Sequence, residues 1–293
     1  MNSSIFQKIN YITNEPLSKH TTFRIGGPAK YIFMPKNADE IKQIIDYCKC
    51  NNEKYIVLGN GSNVLVSDEG YDGIVIQIYN NFNKIEVEDN NIYAQSGALL
   101  SKIAATARDN GLGGMEFAAG IPGTLGGAIV MNAGAYGGEM KDIVSFVDIL
   151  ESNGEIKRYS GETMEFGYRH SIVDNEKIVL GAQIKLETCD KSEIISKMDE
   201  LKEARVSKQP LEYPSAGSTF KRPQGYFAGK LIDDCGLRGY KVGGAMISEK
   251  HCGFVINYDN ATCADVMELM KNVSDIVYEK FEVRLEPEVK IIL

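Results

Sequence analysis

The sequence predicts an α+β protein of more than one domain, and three observations predict it. Its 293 residues exceed what one small core organises, so two domains, or three, are expected. Runs with strand character and amphipathic helical runs are interspersed along the whole chain. Glycines gather in loops, yet the loop nearest to a dinucleotide fingerprint, Gly59-Asn60-Gly61-Ser62-Asn63, has Val64 where the third glycine should stand and no helical period after it, which disfavours a Rossmann domain.

Composition narrows the class of partner. Forty acidic against 32 basic residues give a net charge of −8, which argues against a nucleic-acid or anionic-membrane surface and for a small-molecule ligand; nothing predicts a protein partner. The start, MNSSIFQKINYITNEP, has no apolar leader-like core, and no later apolar run reaches the ~18 residues that a bilayer requires, so a cytoplasmic location is expected. Cys48, Cys50, Cys189, Cys235, Cys252 and Cys263 form no CxxC pair and read as reduced, mostly buried thiols. His20, His170 and His251 lie far apart, so neither a metal triad nor a Ser-His-Asp arrangement is indicated.

In chain order, the turn at Gly26, Gly27 and Pro28 leads into a short strand with Tyr31 and Phe33. Asn37, with Glu40 three positions on, caps a helix whose Ile41, Ile44, Ile45 and Cys48 share one face. A strand over 55–58 then ends in the Gly59 to Asn63 loop, completing a βαβ-like unit whose C-terminal loop is the expected ligand end. Strands are predicted at 74–78 and 91–95, followed by a helix with Leu99, Leu100, Ile103, Ala104 and Ala107 on one face that closes near Gly111. Further strands are expected at 143–150 and 177–186. A helix over 192–207, striped by Ile194, Ile195, Met198 and Leu201, stops before Pro210. The segment 218–255 has strand and turn character with recurring glycines. Thr262 caps a long helix carrying Val266, Leu269, Met270, Val273, Val277 and Phe281, a stripe that reads as core, and the chain finishes in a strand over 283–293 interrupted at Pro287.

The stretch 116–138, EFAAGIPGTLGGAIVMNAGAYGG, stands apart. Gly120, Gly123, Gly126 and Gly127 bracket Ile121, Pro122, Thr124 and Leu125, a pattern for a tight turn followed by a short helix starting at Thr124. Open N–H groups at such a start suit a pyrophosphate, and missing Cβ atoms let a large cofactor lie on the main chain. A glycine-rich turn with a closely packed helix behind it would account for the same residues. Gly59 to Asn63 offers a second concavity, with the Ser62 hydroxyl, and a pyrophosphate held by the pair of loops explains both.

Three other segments hold polar residues that a plain fold does not require. In Phe166-Gly167-Tyr168-Arg169-His170-Ser171, an arginine after an aromatic-glycine turn suits bidentate carboxylate binding, against the alternative of a surface loop cation. The run from Ser215 to Pro223 sets Ser218 beside Lys221 and Arg222, which a hairpin turn with solvated charges would also explain. Glu286 and Glu288 sit in an apolar terminal segment, where an unpaired carboxylate costs several kcal/mol.

Taken in order, GNGSN (59–63), AGIPGTLGGA (119–128), NAGAYGGE (132–139), YRHS (168–171), AGSTFKRP (216–223) and LEPEV (285–289) resemble the UDP-N-acetylenolpyruvoylglucosamine reductase (MurB) family of peptidoglycan synthesis. Each motif alone is weak, whereas six in register over nearly the whole chain are specific. The absence of room between Tyr168 and Ser218 for an extra tyrosine-bearing loop makes the chain resemble the shorter, type II branch.

The resemblance implies a two-subdomain FAD-binding fold of the vanillyl-alcohol-oxidase type plus a C-terminal α+β substrate domain. Its expected divisions are 1–58, which the C-terminal strand would complete, 59–205 and 206–293. It implies FAD on Gly59, Asn60, Gly61, Ser62, Asn63, Gly120, Ile121, Pro122, Gly123, Thr124, Gly126, Gly127, Ala128 and Asn132. NADPH is the implied co-substrate, delivering a hydride through flavin N5 to C3 of UDP-N-acetylglucosamine enolpyruvate, with a proton added at C2 to give UDP-N-acetylmuramate. The implied catalytic residues are Arg169 at the substrate carboxylate, Glu288 beside it and Ser218 as proton donor, with Lys221 or a water assisting the serine. Arg205, Lys221 and Arg222 are the cations expected near the UDP diphosphate. Two other readings use fewer of these residues: a flavin oxidase of the same fold, and a non-catalytic nucleotide-binding module.

Overall fold

A computed structural model describes residues 4–293; Met1, Asn2 and Ser3 of the N-terminal stretch discussed above lie outside the described residues. The chain forms two compact units. Unit 1 comprises the chain up to Ile12, Tyr31–Asn60 and Gly73–Arg205, and unit 2 comprises Thr13–Lys30, Gly61–Asp72 and Val206–Leu293.

Unit 1 holds two hydrophobic cores. In one, helix Ala38–Asn51 buries Ile41, Ile44, Ile45 and Cys48 together with Phe33, Ile74 and Ile76, and the Asn37 side chain accepts the Glu40 N–H, as the local pattern predicts. The expected βαβ neighbourhood differs. Strands Pro28–Phe33 and Tyr55–Leu58 are not adjacent, because Tyr71–Gln77 lies between them and pairs in parallel with Tyr55–Leu58, Tyr55 opposite Ile74. This later strand has five consecutive buried residues, Gly73 to Gln77, and so takes the central position.

The second core of unit 1 sits under an antiparallel five-stranded sheet ordered Ile156–Ser160, Val144–Leu150, Ile178–Lys185, Asn91–Gln95, Ile85–Glu88. The two edge strands escape a periodicity search because nearly all of their side chains are exposed or half-buried. Helix Leu100–Asp109 and the short helix Leu125–Val130 cover one face. Leu125, Ala128 and Ile129, spaced i, i+3, i+4, are buried with Ile92, Ala94, Val147 and Ala182.

Helix Lys191–Lys208 forms, but its stripe does not close: Ile194 is buried while Ile195 is 42% exposed. In unit 2, helix Cys263–Phe281 starts at the predicted Thr262 cap, with a reciprocal Thr262–Asp265 capping box, and buries Val266, Leu269, Met270, Val273 and Val277. A helix at Ala228–Asp234 replaces the turns expected there; Leu231 and Ile232 anchor it. The terminal strand shortens to Lys290–Ile292, parallel to Val64–Val66, since Pro287 supplies no N–H for a ladder. No helix among the described residues is long and apolar enough to cross a membrane.

Candidate active site

The glycine-rich stretch is fastened to the sheet of unit 1 by its own backbone. Leu125 N–H donates to the Ala98 carbonyl and Gly126 N–H to the Ser96 carbonyl, both at 2.8 Å, while Leu100 N–H donates to Gly123. These bonds correct the expectation of an open helix start. Two of the N–H groups expected to face an anion are already used, and the helix has only six residues. What the loop offers is surface without side chains. Gly120, Pro122 and Gly127 are exposed. A Cβ on Gly127 would meet nothing nearer than Thr124 Oγ1 at 3.8 Å.

Asn60 Nδ2 donates to the Pro122 carbonyl at 2.6 Å, joining the start of the Gly59 loop to the 119–128 loop. Gly59 is required there, because a Cβ would overlap Thr124 Oγ1. Under the same loop the Ser96 hydroxyl is buried without a hydrogen-bond partner, close against Gly126. A hydroxyl awaiting a partner and an exposed main-chain shelf fit a large, polar, flat cofactor such as FAD, with the shelf rather than the helix amides as its bed. Ser96 gave no signal in the sequence, since a lone serine before a helix reads as ordinary loop.

Asn132 does a different job from direct contact through its amide. It is 1% exposed with φ +40°, and its Nδ2 donates to Glu139 Oε2 at 2.9 Å and to the Gly167 carbonyl at 3.0 Å, while its Oδ1 accepts the Lys141 N–H at 2.9 Å. The side chain is thereby committed to holding the turn that carries Arg169. In that turn Gly167 and His170 exchange backbone hydrogen bonds, and Ser171 Oγ donates to the Val130 carbonyl. Arg169 has φ +55° and lies 5.0 Å over the Tyr168 ring. The Lys141 hydrogen bond, with Asn132 and the nearby Arg169 cation assisting, holds the Glu139 carboxyl below its ordinary range. Ionised Glu139 thus belongs to the charge setting of the arginine.

Arg205 ends up on the cofactor loop. Its guanidinium packs on Gly120, where a Cβ would come within 3.0 Å of Nη1, and burial pushes its pKa down, Tyr136 opposing. Tyr136 itself has φ +52°. Non-glycine residues at positive φ store roughly 1–2 kcal/mol each. Asn132, Tyr136 and Arg169 place three of them within one stretch and the turn it anchors.

In unit 2 the segments that carry Ser218 and Glu288, 70 positions apart (288 − 218), pair through an antiparallel bridge between Phe220 and Pro287. Thr219 is the junction: Glu288 N–H donates to its carbonyl at 2.8 Å, and Lys221 N–H donates to the Glu286 carbonyl at 2.8 Å. The Thr219 hydroxyl accepts the Val255 N–H at 2.9 Å. Asn63 Nδ2 donates to the Glu288 carbonyl, and Asn63 in turn accepts the Lys290 N–H, so the latter half of the 59–63 loop is tied to the same strand. Gly61, with φ +61°, is fixed where a Cβ would overlap the His20 carbonyl.

Lys221, expected to assist Ser218, makes a surface ion pair. Its ammonium is paired with Glu286 at 3.3 Å on the exposed side of this ribbon. Arg222 stacks on Phe227 at 4.0 Å and donates weakly to the Tyr226 carbonyl. Arg169 and Arg205 belong to unit 1, and Ser218, Lys221, Arg222 and Glu288 to unit 2. Among the described residues no His, Cys, Asp and Glu cluster could hold a metal ion.

Residues 209–292 match the family model described as UDP-N-acetylenolpyruvoylglucosamine reductase, C-terminal domain, and residues 29–160 match an FAD binding domain. A UDP-N-acetylenolpyruvoylglucosamine reductase of Clostridioides difficile is 49% identical over 99% of this chain and 95% of its own length. One from Caldanaerobacter subterraneus is 52% identical over 95% of this chain and 92% of its own. The crystal structure of UDP-N-acetylenolpyruvylglucosamine reductase from Thermus caldophilus superposes with a TM-score of 0.83 at 36% identity, covering 98% of this chain and 99% of that one. A cholesterol oxidase from B. sterolicum, 12% identical with a TM-score of 0.50 over 64% of this chain and 39% of its own, shares the fold alone.

Proposed function

The chain belongs to the UDP-N-acetylenolpyruvoylglucosamine reductase family, and we propose from this premise which of its residues do the work and on what. It is an FAD-dependent oxidoreductase of peptidoglycan synthesis acting on a UDP-sugar, with the α+β flavin-binding fold of the vanillyl-alcohol-oxidase type and a C-terminal domain. The substrate is UDP-N-acetylglucosamine enolpyruvate, the product UDP-N-acetylmuramate and the reductant NADPH. Two flavin-binding subdomains, 1–58 and 59–205, and a substrate domain at 206–293 are the working divisions.

When bound, FAD supplies hydride transfer between NADPH and the enolpyruvyl group. The shelf of Gly120, Gly123, Thr124, Gly126 and Gly127, the 59–63 loop and the Ser96 hydroxyl hold it. Arg169 binds the substrate carboxylate. Because charge grows on that carboxylate as C3 is reduced, the arginine contact strengthens toward the transition state, and a turn clamped by Asn132 keeps the guanidinium from having to reorganise. Ser218 delivers the proton to C2, and Glu288, hydrogen-bonded through its own N–H to Thr219, orients and shares protons with the same end of the substrate. Lys221, whose ion pair with Glu286 is an exposed one, or a water assists the serine. Of the three candidate diphosphate cations, Arg205 is the one seated on the cofactor loop.

The observation that supports this reading is the Thr219 junction, whose backbone bond to Glu288 pairs the segment of Ser218 with the segment of Glu288. NADPH consumption with UDP-N-acetylglucosamine enolpyruvate, compared between the parent protein and Ser218→Ala, tests it. The variant should still bleach its flavin absorbance with NADPH but turn over about 10²-fold or more slowly. Equal steady-state rates remove Ser218 from the mechanism, and a purified protein that takes up no FAD removes the flavoenzyme assignment.

A further inference from the structure

The hydrogen bonds around Thr219 extend one step further within unit 2, to a histidine that the mechanism does not use. Thr219 N–H donates to the Gly253 carbonyl at 2.9 Å, and on the other side of that residue Gly253 N–H donates to His251 Nδ1 at 3.1 Å. The fit around the ring is close. A Cβ on Gly253 would come within 2.9 Å of His251 Cε1, and one on Gly229, in helix Ala228–Asp234, within 3.4 Å, while Phe254 packs edge-on at 5.0 Å. With Nδ1 accepting, the neutral ring carries its proton on Nε2; a second proton would turn Nδ1 into a donor aimed at the Gly253 N–H.

We infer that His251 is a positioning residue for Ser218 and Glu288, acting through Gly253 and the Thr219 junction, and that protonating its ring loosens both at once. The inference rests on the reading of those two residues as substrate-facing. Arg238 is the charge that acts on the ring; the elements packed against it also carry Lys230, Asp233 and Asp234 on the helix of Gly229, Lys221 two positions after Thr219, and Glu249, Lys250 and Cys252 on its own loop, with Asp233 paired to Arg238 and accepting from the Cys252 thiol. Burial pulls the imidazole below its ordinary value, a backbone hydrogen bond within His251 opposing it and Arg238 adding a smaller push in the same direction, so the ring is neutral at neutral pH. The sign follows: the contact is intact at neutral pH and is lost as pH falls below about 6.5 toward the lower folded value.

The test compares His251→Asn and His251→Phe with the parent holoenzyme. An asparagine oxygen can accept the same N–H two residues on, as in an Asx turn, but does not titrate. His251→Asn should keep neutral-pH turnover within about fivefold and lose the acid limb that the parent shows below about pH 6.5. His251→Phe should lower kcat by about 5- to 100-fold with a smaller change in KM. Amide exchange over 215–221 and 286–289, corrected for its intrinsic pH dependence, should quicken in the parent at acid pH and not in His251→Asn. An acid limb shared by parent and His251→Asn overturns the inference, and so does a His251→Phe protein with parental kcat and exchange. If exchange responds as expected while Ser218→Ala turns over normally, the junction stands and the role of Ser218 falls.

Discussion

Replacing Asn132 tests how the glycine-rich stretch governs the arginine turn. Its side chain makes three hydrogen bonds, to Glu139, to the Gly167 carbonyl and from the Lys141 N–H, at 2.9 to 3.0 Å, and it is buried at φ +40°. At a net of about 1 kcal/mol per bond, deletion costs about 3 kcal/mol. Alanine at a left-handed φ adds roughly 1 kcal/mol, whereas glycine recovers about the same amount, so Asn132→Ala should lose about 4 and Asn132→Gly about 2 kcal/mol. Guanidinium denaturation midpoints give the two values. The functional readout is separate: with Gly167 released, Arg169 is free to shift by an ångström or so, and such a misplacement costs on the order of 10²-fold in rate. Asn132→Gly should therefore impair turnover despite being the less destabilised variant. If Asn132→Gly matches the parent in both midpoint and turnover, the clamp has no energetic role and the argument fails.

Two further perturbations follow from the same geometry. Asp68 accepts the Cys263 N–H at 2.8 Å and the Ala264 N–H at 3.1 Å at the start of helix Cys263–Phe281, so Asp68→Ala should cost about 1–2 kcal/mol of stability, read as a lowered melting temperature; an unchanged value would show the Thr262 cap to suffice. Gly59→Ala drives a methyl into Thr124 Oγ1 and should weaken flavin retention on gel filtration, with Thr124→Ser of the same variant restoring little because Oγ stays in place; full flavin content in Gly59→Ala would refute the shelf.

What could be read in the sequence was whatever is local. The Asn37 cap, its Glu40 partner and the Ile41, Ile44, Ile45, Cys48 face lie within a dozen residues, and the structure places them as their spacing implies. The Thr262 cap was equally visible, while the reinforcement of the same helix start by Asp68, 195 positions before Cys263, was not. Helix Ala228–Asp234 was hidden by Gly229, Gly225 and Gly236, which suggest turns, and by having only one buried turn of Leu231 and Ile232. The stripe of Lys191–Lys208 misled because periodicity reports a possible face, not whether anything covers it; Ile195 stays exposed. At the site, the motifs single out Arg169, Ser218 and Glu288, but the supports of their segments, Asn132 at 35 positions from Gly167 and Thr219 at 69 from Glu288, depend on tertiary pairing.

The strained backbone explains why this stretch is not simply all glycine. Wherever φ must be positive, glycine is the inexpensive choice, and the chain uses it at Gly137 with open space around it. At Asn132, Tyr136 and Arg169 it accepts a left-handed backbone with a side chain attached. For Asn132 the return is three hydrogen bonds, and for Tyr136 it is an aromatic ring beside the half-buried Arg205. Arg169 lies 5.0 Å over the Tyr168 ring, with ionised Glu139 among the charges that feel it. On a turn clamped through Asn132 and Ser171, we propose that the guanidinium meets the substrate carboxylate, the anion whose charge grows during the reaction, without having to reorganise.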